Sequence, residues 1–142
     1  MSLTAIDLDR LATCDHRLAS VVRRVAALYP CRVLEGHRNE QAQNAAFDAG
    51  KSQLRWPRGK HNSYPSLAVD VAPLPVDWND RESFSHFAGF MLMAAVTMGY
   101  SLRWGGSWAG IGKLSMNKFD DLPHYELVLT EPSSPIPGVV QA

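Results

Sequence analysis

Two histidines and an aspartate, far apart in the sequence, have the side-chain chemistry of a metal site. His61 and Asp70 lie in the segment GKHNSYPSLAVDVAP, and His124 lies in FDDLPHYELVL. Two imidazoles and one carboxylate suit zinc, and three protein ligands leave the fourth tetrahedral position open for water, as in catalytic zinc sites. Asp121, just before His124, then remains as a candidate general base. This combination predicts a zinc-dependent hydrolase.

Asp70 interrupts an apolar run, LAVDVA, which we interpret as a buried strand. Because side chains alternate between the two faces of a strand, Asp70 shares its face with Ala68 and Ala72, whose small side chains leave room around it. A buried carboxylate is costly unless it is paired or binds a metal. A salt bridge to a lysine or arginine is the alternative role. The presence of His61 and His124 favours the metal.

The second segment predicts a strand, HYELVLT, that begins at His124. Glu126 shares a face with His124 and is a candidate for holding an imidazole in orientation, which metal-bound histidines generally need. Asp121 is expected on the turn before the strand, close to a zinc-bound water. Capping of a helix or turn is its alternative role.

Two residues next to Gly36 leave alternatives open. His37 could be a fourth zinc ligand, which would make the site structural, but a surface position at the edge of a cleft is the preferred interpretation. Arg38 has the planar, permanently charged guanidinium that suits a substrate carboxylate or a developing oxyanion. An arginine in a turn before a helix is otherwise simply solvated.

The composition limits the possible partners and the number of domains. A chain of 142 residues with 46% hydrophobic and 20% charged residues is expected to form one soluble globular domain. Fourteen basic and fourteen acidic residues cancel, so no overall field favours nucleic acid or anionic membrane. No secretory signal and no membrane span are expected. Cys14 and Cys31 are expected to be reduced thiols.

Helical and strand periodicities are interleaved along the chain, which predicts an α+β fold with a sheet backed by helices. Residues 1–130 form the predicted domain, and residues 131–142 form a tail rich in proline and glycine. The predicted elements are helices over 7–28, 39–50 and 80–99, strands over 31–34, 67–72, 100–104 and from 124, and a long loop over 51–66.

Together these motifs resemble the family of zinc D-alanyl-D-alanine carboxypeptidases and L-alanyl-D-glutamate endopeptidases, particularly its small phage endolysins. The resemblance covers nearly the whole chain. This chain differs from the family pattern in two respects. The spacing between His61 and Asp70 is longer, and Gly59 stands where the family often has a serine. The matching positions are His61, Ala68 and Asp70, then Trp104, Gly105, Gly106 and Trp108, then Asp121, Pro123 and His124, with Arg38 aligned in the segment LEGHRNEQAQNAAFDAGK.

The resemblance implies the Hedgehog/D,D-peptidase-like fold, with a small antiparallel sheet that carries the zinc site. It implies a zinc metallopeptidase that cleaves the peptide stem of peptidoglycan, at the L-alanyl-D-glutamate bond, for lysis of a bacterial host. His61, Asp70 and His124 would bind Zn²⁺, Asp121 would be the base, and Arg38 would contact substrate.

Two other functions are consistent with the same residues. One is a D-alanyl-D-alanine carboxypeptidase, and the other is a non-catalytic, zinc-stabilised phage structural or wall-binding module. Asp121 argues against the latter, because an inactive relative would be expected to lose its base before its ligands. We expect a monomer made in the host cytoplasm that acts on the wall in the periplasm, with a separate membrane-permeabilising partner.

Overall fold

A computed structural model describes residues 3–110 and 120–129. In these ranges the chain forms four α-helices, one short 3₁₀-helix and four strands. The elements are α1 (Ala5–Leu11), α2 (His16–Ala26), β1 (Cys31–Glu35), α3 (Glu40–Asp48), the 3₁₀-helix (Lys60–Asn62), β2 (Ala68–Pro73), α4 (Arg81–Thr97), β3 (Leu102–Gly105) and β4 (Asp121–Leu127).

The four strands form one antiparallel sheet in the order β1-β2-β4-β3. The two central strands are β2 and β4, and Asp70 is directly opposite His124 in their register. The α+β fold with a small antiparallel sheet is therefore confirmed. A sheet of this order brings together two segments that are more than fifty residues apart.

The hydrophobic core lies between the sheet and two helices. Helix α4 packs on β2, β3 and β4, and α2 packs against α4. Val69 and Tyr125 are fully buried in this core. Because neighbouring side chains on a strand point to opposite faces, Asp70 and His124 lie on the face away from the core. The helices thus cover one face of the sheet, and the predicted ligands Asp70 and His124 lie on the other.

The predicted helix over residues 7–28 is wrong, since the structure has two helices here. Helix α1 begins after Thr4, whose hydroxyl accepts from the Asp7 N–H in a capping box, so Asp7 is not the N-cap. Asp15 caps α2, and its N–H donates to the Ser66 carbonyl at 2.8 Å. Cys14 forms an isolated bridge with Ser66. These contacts with the loop before β2 interrupt what the apolar spacing alone presents as one helix.

The other helix boundaries follow the predicted signals. Asn39 and Asp80 cap α3 and α4 with their side chains. Gly50 and Gly99 follow the two helices with positive φ angles of 76° and 83°, a conformation that favours glycine. The prediction for the last strand is wrong in its start, because β4 begins at Asp121 and His124 lies in its middle.

Both cysteines are buried free thiols, and burial raises the pKa of each to about 11. None of the helices in the described ranges has the length and apolar character needed to cross a membrane. The predicted tail, residues 131–142, lies outside the described residues.

Candidate metal centre and catalytic cleft

The structure brings the three predicted ligands together on one face of the sheet. His61 Nε2 lies 3.1 Å from Asp70 Oδ1 and 3.2 Å from His124 Nδ1. The third side of this triangle, from His124 Nδ1 to Asp70 Oδ1, is 3.3 Å. All three residues are buried, and within the described ranges they form the one group suited to a metal ion. Strands β2 and β4 supply two of them, and the 3₁₀-helix supplies His61.

In each histidine, the ring nitrogen that points away from the centre of the triangle lies next to a hydrogen-bond acceptor. This contact decides whether the other ring nitrogen presents a proton or a lone pair to the centre. His61 Nδ1 lies 2.6 Å from the Gly36 carbonyl oxygen, so it must donate. His124 Nε2 lies 3.1 Å from Glu126 Oε1 and donates to that carboxylate. In their neutral forms, both rings therefore direct a lone pair at the centre, next to the Asp70 carboxylate. Three converging lone pairs form a site for a cation.

The size of the triangle also fits a metal. A tetrahedral zinc ion with bonds of about 2.0–2.1 Å holds its ligand atoms roughly 3.3–3.4 Å apart. The three distances between ligand atoms here are 3.1, 3.2 and 3.3 Å. A small tetrahedral ion therefore fits between these atoms after shifts of a few tenths of an ångström.

Protons compete with a cation for this centre. Burial disfavours a charged imidazole, but hydrogen bonds with Asp70 and Glu126 outweigh it and raise the pKa of His124 to about 9. Burial likewise disfavours the ionised Asp70, but the charge of His61 and the hydrogen bonds of both histidines hold its pKa below the usual range. Metal binding at this site must therefore release a proton from His124 at neutral pH.

Asp121 lies beside the three ligands without belonging to them. Its Oδ2 is 3.8 Å from His124 Nδ1, and it is not part of the group that could hold a metal. It is the first residue of β4, opposite Gly105 at an irregularity in the pairing with β3. Burial and the neighbouring Asp70 carboxylate raise the pKa of Asp121 to about 6. A carboxylate with this pKa suits general acid–base catalysis near neutral pH.

Arg38 lies at the edge of the same centre and is only 12% exposed in its side chain. Its Nη2 is 2.8 Å from Glu35 Oε2 and 3.4 Å from Asp70 Oδ2, and its Nη1 is 3.3 Å from Gln43 Oε1. The alternative of a simply solvated arginine is therefore wrong. The guanidinium is held between protein carboxylates and lines the open cleft.

A cleft of about 670 Å³ opens over the centre. Its floor includes His61, Asp121 and His124, and the ring of Trp108 lies 5.4 Å from that of His124. This volume is in the range of small-ligand sites. The remaining lining residues are Arg38, Gln43, Ser52, Gln53, Leu54, Arg58, Gly59, Lys60, Arg103, Ala109 and Glu126.

His37 lies outside the metal centre. Its Nδ1 is 3.0 Å from the Ser63 carbonyl oxygen and its ring packs edge-on against Tyr64. It is absent both from the group that could hold a metal and from the lining of the cleft. A fourth ligand at this position is therefore not supported.

Two supporting residues were missed by the sequence reasoning. The Gly36 carbonyl orients His61, but a backbone oxygen leaves no signal in residue type. Gln43 is 1% exposed, and its amide contacts Arg38, Asn62 and the Ser52 hydroxyl. The sequence signal for Gln43 is weak: it is one of several polar residues on the short helix α3, and only its burial shows that its amide connects neighbouring residues.

The family model of the phage L-alanyl-D-glutamate peptidases matches residues 1–128. The chain belongs to this family. Among solved structures, the peptidase is similar to the L-Ala D-Glu endopeptidase ChiX of Serratia marcescens, with 28% sequence identity, a TM-score of 0.71 and 90% coverage of each chain. No curated protein sequence matches it. The family match confirms the predicted resemblance and favours the endopeptidase over both alternative functions.

Proposed function

We propose that this peptidase hydrolyses the L-alanyl-D-glutamate bond in the stem peptide of bacterial peptidoglycan, with Zn²⁺ as its cofactor. The observation that carries the proposal is the buried triangle of His61, Asp70 and His124, with Asp121 beside it at the base of an open cleft. Membership of the family supports the substrate.

Zinc is favoured over other ions by the donor set and its spacing. Two neutral imidazoles and a carboxylate are usual ligands of catalytic zinc, whereas Mg²⁺ and Ca²⁺ prefer oxygen ligands alone. The separation of the ligand atoms suits a tetrahedral ion. When bound, zinc supplies Lewis acidity toward the scissile carbonyl and makes a neighbouring water more acidic.

Asp121 is proposed as the general base and then the general acid. Its carboxylate accepts a proton from the water whose oxygen forms the new bond to the alanyl carbonyl carbon. When the C–N bond breaks, the same carboxyl group returns the proton to the amine nitrogen of the leaving D-glutamyl residue. In the metal-free protein the pKa of Asp121 is raised to about 6 by burial and by the Asp70 carboxylate, which is the range that suits a group exchanging protons near neutral pH.

Arg38 is proposed to stabilise negative charge that develops on the carbonyl oxygen. Its guanidinium lies in the cleft, is held by Glu35 and Gln43, and needs little rearrangement to donate a further N–H. A donor that is positioned in advance stabilises a transition state without the cost of ordering it during the reaction.

The peptidase is proposed to act as a monomer, since a single chain supplies the three predicted ligands and Asp121. Action on the wall from inside a host cell would require a separate protein that permeabilises the membrane.

Digestion of purified peptidoglycan tests the proposal directly. The zinc-loaded protein should create new amino-terminal D-glutamyl and new carboxyl-terminal L-alanyl groups, identified by mass spectrometry. A strong chelator should abolish the reaction and added Zn²⁺ should restore it. Release of free D-alanine instead would identify a carboxypeptidase, and an unchanged wall would identify a non-catalytic module.

A further inference from the structure

Two cations at the rim of the cleft form no ion pair with any residue in the described ranges. Arg58 and Lys60 both line the cleft and are solvent-exposed. The other cations in the lining, Arg38 and Arg103, each form salt bridges with carboxylates of the protein. The charge of Lys60 acts on Glu126 and lowers the pKa of that carboxyl, but neither Lys60 nor Arg58 is neutralised by a salt bridge with a described residue, so both charges can act on a ligand in the cleft.

The segment that carries these two cations is tied to the rest of the site. Gly59, between them, donates its N–H to Asn62 Oδ1 at 2.8 Å. A Cβ at Gly59 would come within 3.1 Å of Gln43 Oε1, so the glycine allows this close packing. The next residue after Lys60 is the predicted ligand His61, and the 3₁₀-helix includes both. The two charges are thus presented at a defined place beside the metal centre.

The proposed substrate has a charge that matches them. D-Glutamate in the stem peptide is linked through its side chain, so its α-carboxylate remains free on the residue that follows the scissile bond. A synthetic stem peptide can carry an uncharged amide at this position instead. A cleft with unpaired cations next to the catalytic centre should distinguish these two forms.

We propose that Arg58 and Lys60 are specificity-determining residues that bind the free carboxylate of the stem peptide next to the scissile bond. This inference rests on the proposed function and adds the substrate form that the cleft prefers. The two residues act on binding, and the chemistry remains with the metal centre and Asp121.

The size of the effect follows from the exposure of the two side chains. Ion pairs at exposed positions contribute about 0.2–1 kcal/mol each, which corresponds to roughly a 1.4- to fivefold change in affinity per residue. Removal of both cations should therefore weaken binding of the carboxylate form roughly two- to thirtyfold. The effect should decrease at high salt, because exposed charges are screened.

Equilibrium binding to a metal-loaded Asp121→Asn protein tests the inference without turnover. The ligands are a synthetic L-alanyl-γ-D-glutamyl stem peptide and the same peptide with the α-carboxylate amidated. Calorimetry would compare the Asp121→Asn protein with proteins that also carry Arg58→Gln, Lys60→Gln or both. Arg55→Gln is the matched control, since Arg55 is on the same loop, pairs with Asp48 and does not line the cleft.

We expect the Asp121→Asn protein to bind the carboxylate peptide more tightly than the amide peptide. When Arg58 and Lys60 are both replaced as well, the two peptides should bind with similar affinity. The amide peptide should bind all variants alike, and Arg55→Gln should keep the preference. Equal weakening for both peptides, or no preference at the start, would overturn the inference. Cleavage of peptidoglycan by the unaltered protein is measured separately, so failure of the proposed function remains distinguishable.

Discussion

Asp70 and His124 are directly opposite each other on the two central strands, and their side chains meet at 3.3 Å on the face away from the core. The register of the sheet thus sets the distance between two of the three predicted ligands. A slip of one residue in this pairing would place one of them in the core. Tyr125 and Val69, fully buried on the other face, prevent that slip.

The first prediction separates the metal ligands from the base. His61→Ala, Asp70→Ala and His124→Ala should each lose zinc, because each removes one corner of the triangle. Asp121→Asn should keep one zinc per chain and lose turnover, because its carboxylate lies outside the triangle. Metal analysis of the purified variants, combined with wall digestion, measures both properties.

Asp77→Asn provides the matched control for this series, since Asp77 is exposed and is not among the residues that line the cleft. It should keep both zinc and activity. Loss of zinc from Asp121→Asn comparable to that of the three alanine variants would make Asp121 a ligand. Glu126 would then be the next candidate for the base.

The second prediction concerns the orientation of His124. Glu126 Oε1 accepts from His124 Nε2 at 3.1 Å, and removal of such a partner typically weakens metal binding about 10–100-fold. Glu126→Ala should therefore raise the zinc dissociation constant by this factor. Glu126→Gln, whose amide oxygen can still accept, should lose less. Competition with a chromophoric chelator gives both constants.

Glu82→Ala is the control for Glu126, because Glu82 is an exposed residue in the first turn of α4. Its zinc affinity should equal that of the unaltered protein. Zinc affinity unaffected by Glu126→Ala would show that the sheet alone orients the His124 ring.

The sequence predicted which three side chains come together better than it predicted the contacts that support them. Histidines and acids are uncommon in apolar or glycine-rich segments. The sequence therefore singles out His61, Asp70 and His124. The division of the first helix into two was not recognisable, because it depends on contacts of Cys14 and Asp15 with a loop fifty residues away. Long-range contacts of this kind leave no local periodicity.

The same limit explains the environment of Arg38 and the role of Gly36. An arginine beside a turn is indistinguishable in sequence from a solvated one, and only the fold brings Asp70 within 3.4 Å of it. At Gly36, a Cβ would collide with Thr13 Oγ1 and the Arg10 carbonyl. The absence of a side chain at Gly36 therefore lets the end of β1 approach the turn after α1.

The third prediction tests Arg38 as an oxyanion contact. Arg38→Lys keeps the charge but loses the planar fork that Glu35 and Gln43 hold in place. We expect kcat/KM to fall roughly tenfold or more, in line with about 1.5–3 kcal/mol for a hydrogen bond to a charged group. The loss should occur mainly in kcat, because the contact forms in the transition state. Steady-state kinetics on a soluble stem peptide measures it.

Arg17→Lys is the matched control, because Arg17 also forms a paired hydrogen bond with a carboxylate, that of Asp15, but does not line the cleft. Its kinetics should be unchanged. Unchanged kinetics for Arg38→Lys as well would reduce the role of Arg38 to neutralising the nearby carboxylates.

The last prediction is that the proposed base lowers the stability of the metal-free protein. The pKa of Asp121 is about 6 in the folded protein, against an ordinary value of 3.8. The unfolded chain therefore ionises this group more readily, and the folded state loses stability as the pH rises from about 4 to about 6. Above that range the cost is complete. Asp121→Asn should remove it and stabilise the metal-free protein at pH 7 by about 1–3 kcal/mol.

Denaturant unfolding in the presence of a chelator, at pH 7 and at pH 4, measures this difference. The stabilisation should be present at pH 7 and small at pH 4, where the carboxyl group of Asp121 is protonated in the folded protein and only about half ionised in the unfolded chain. Asp77→Asn should show no such pH dependence. An Asp121→Asn protein no more stable than the original at pH 7 would mean that the Asp121 carboxylate is well accommodated when ionised. The pKa of Asp121 would then not be raised in the metal-free protein, and the ability of Asp121 to return a proton to the leaving amine would need another explanation.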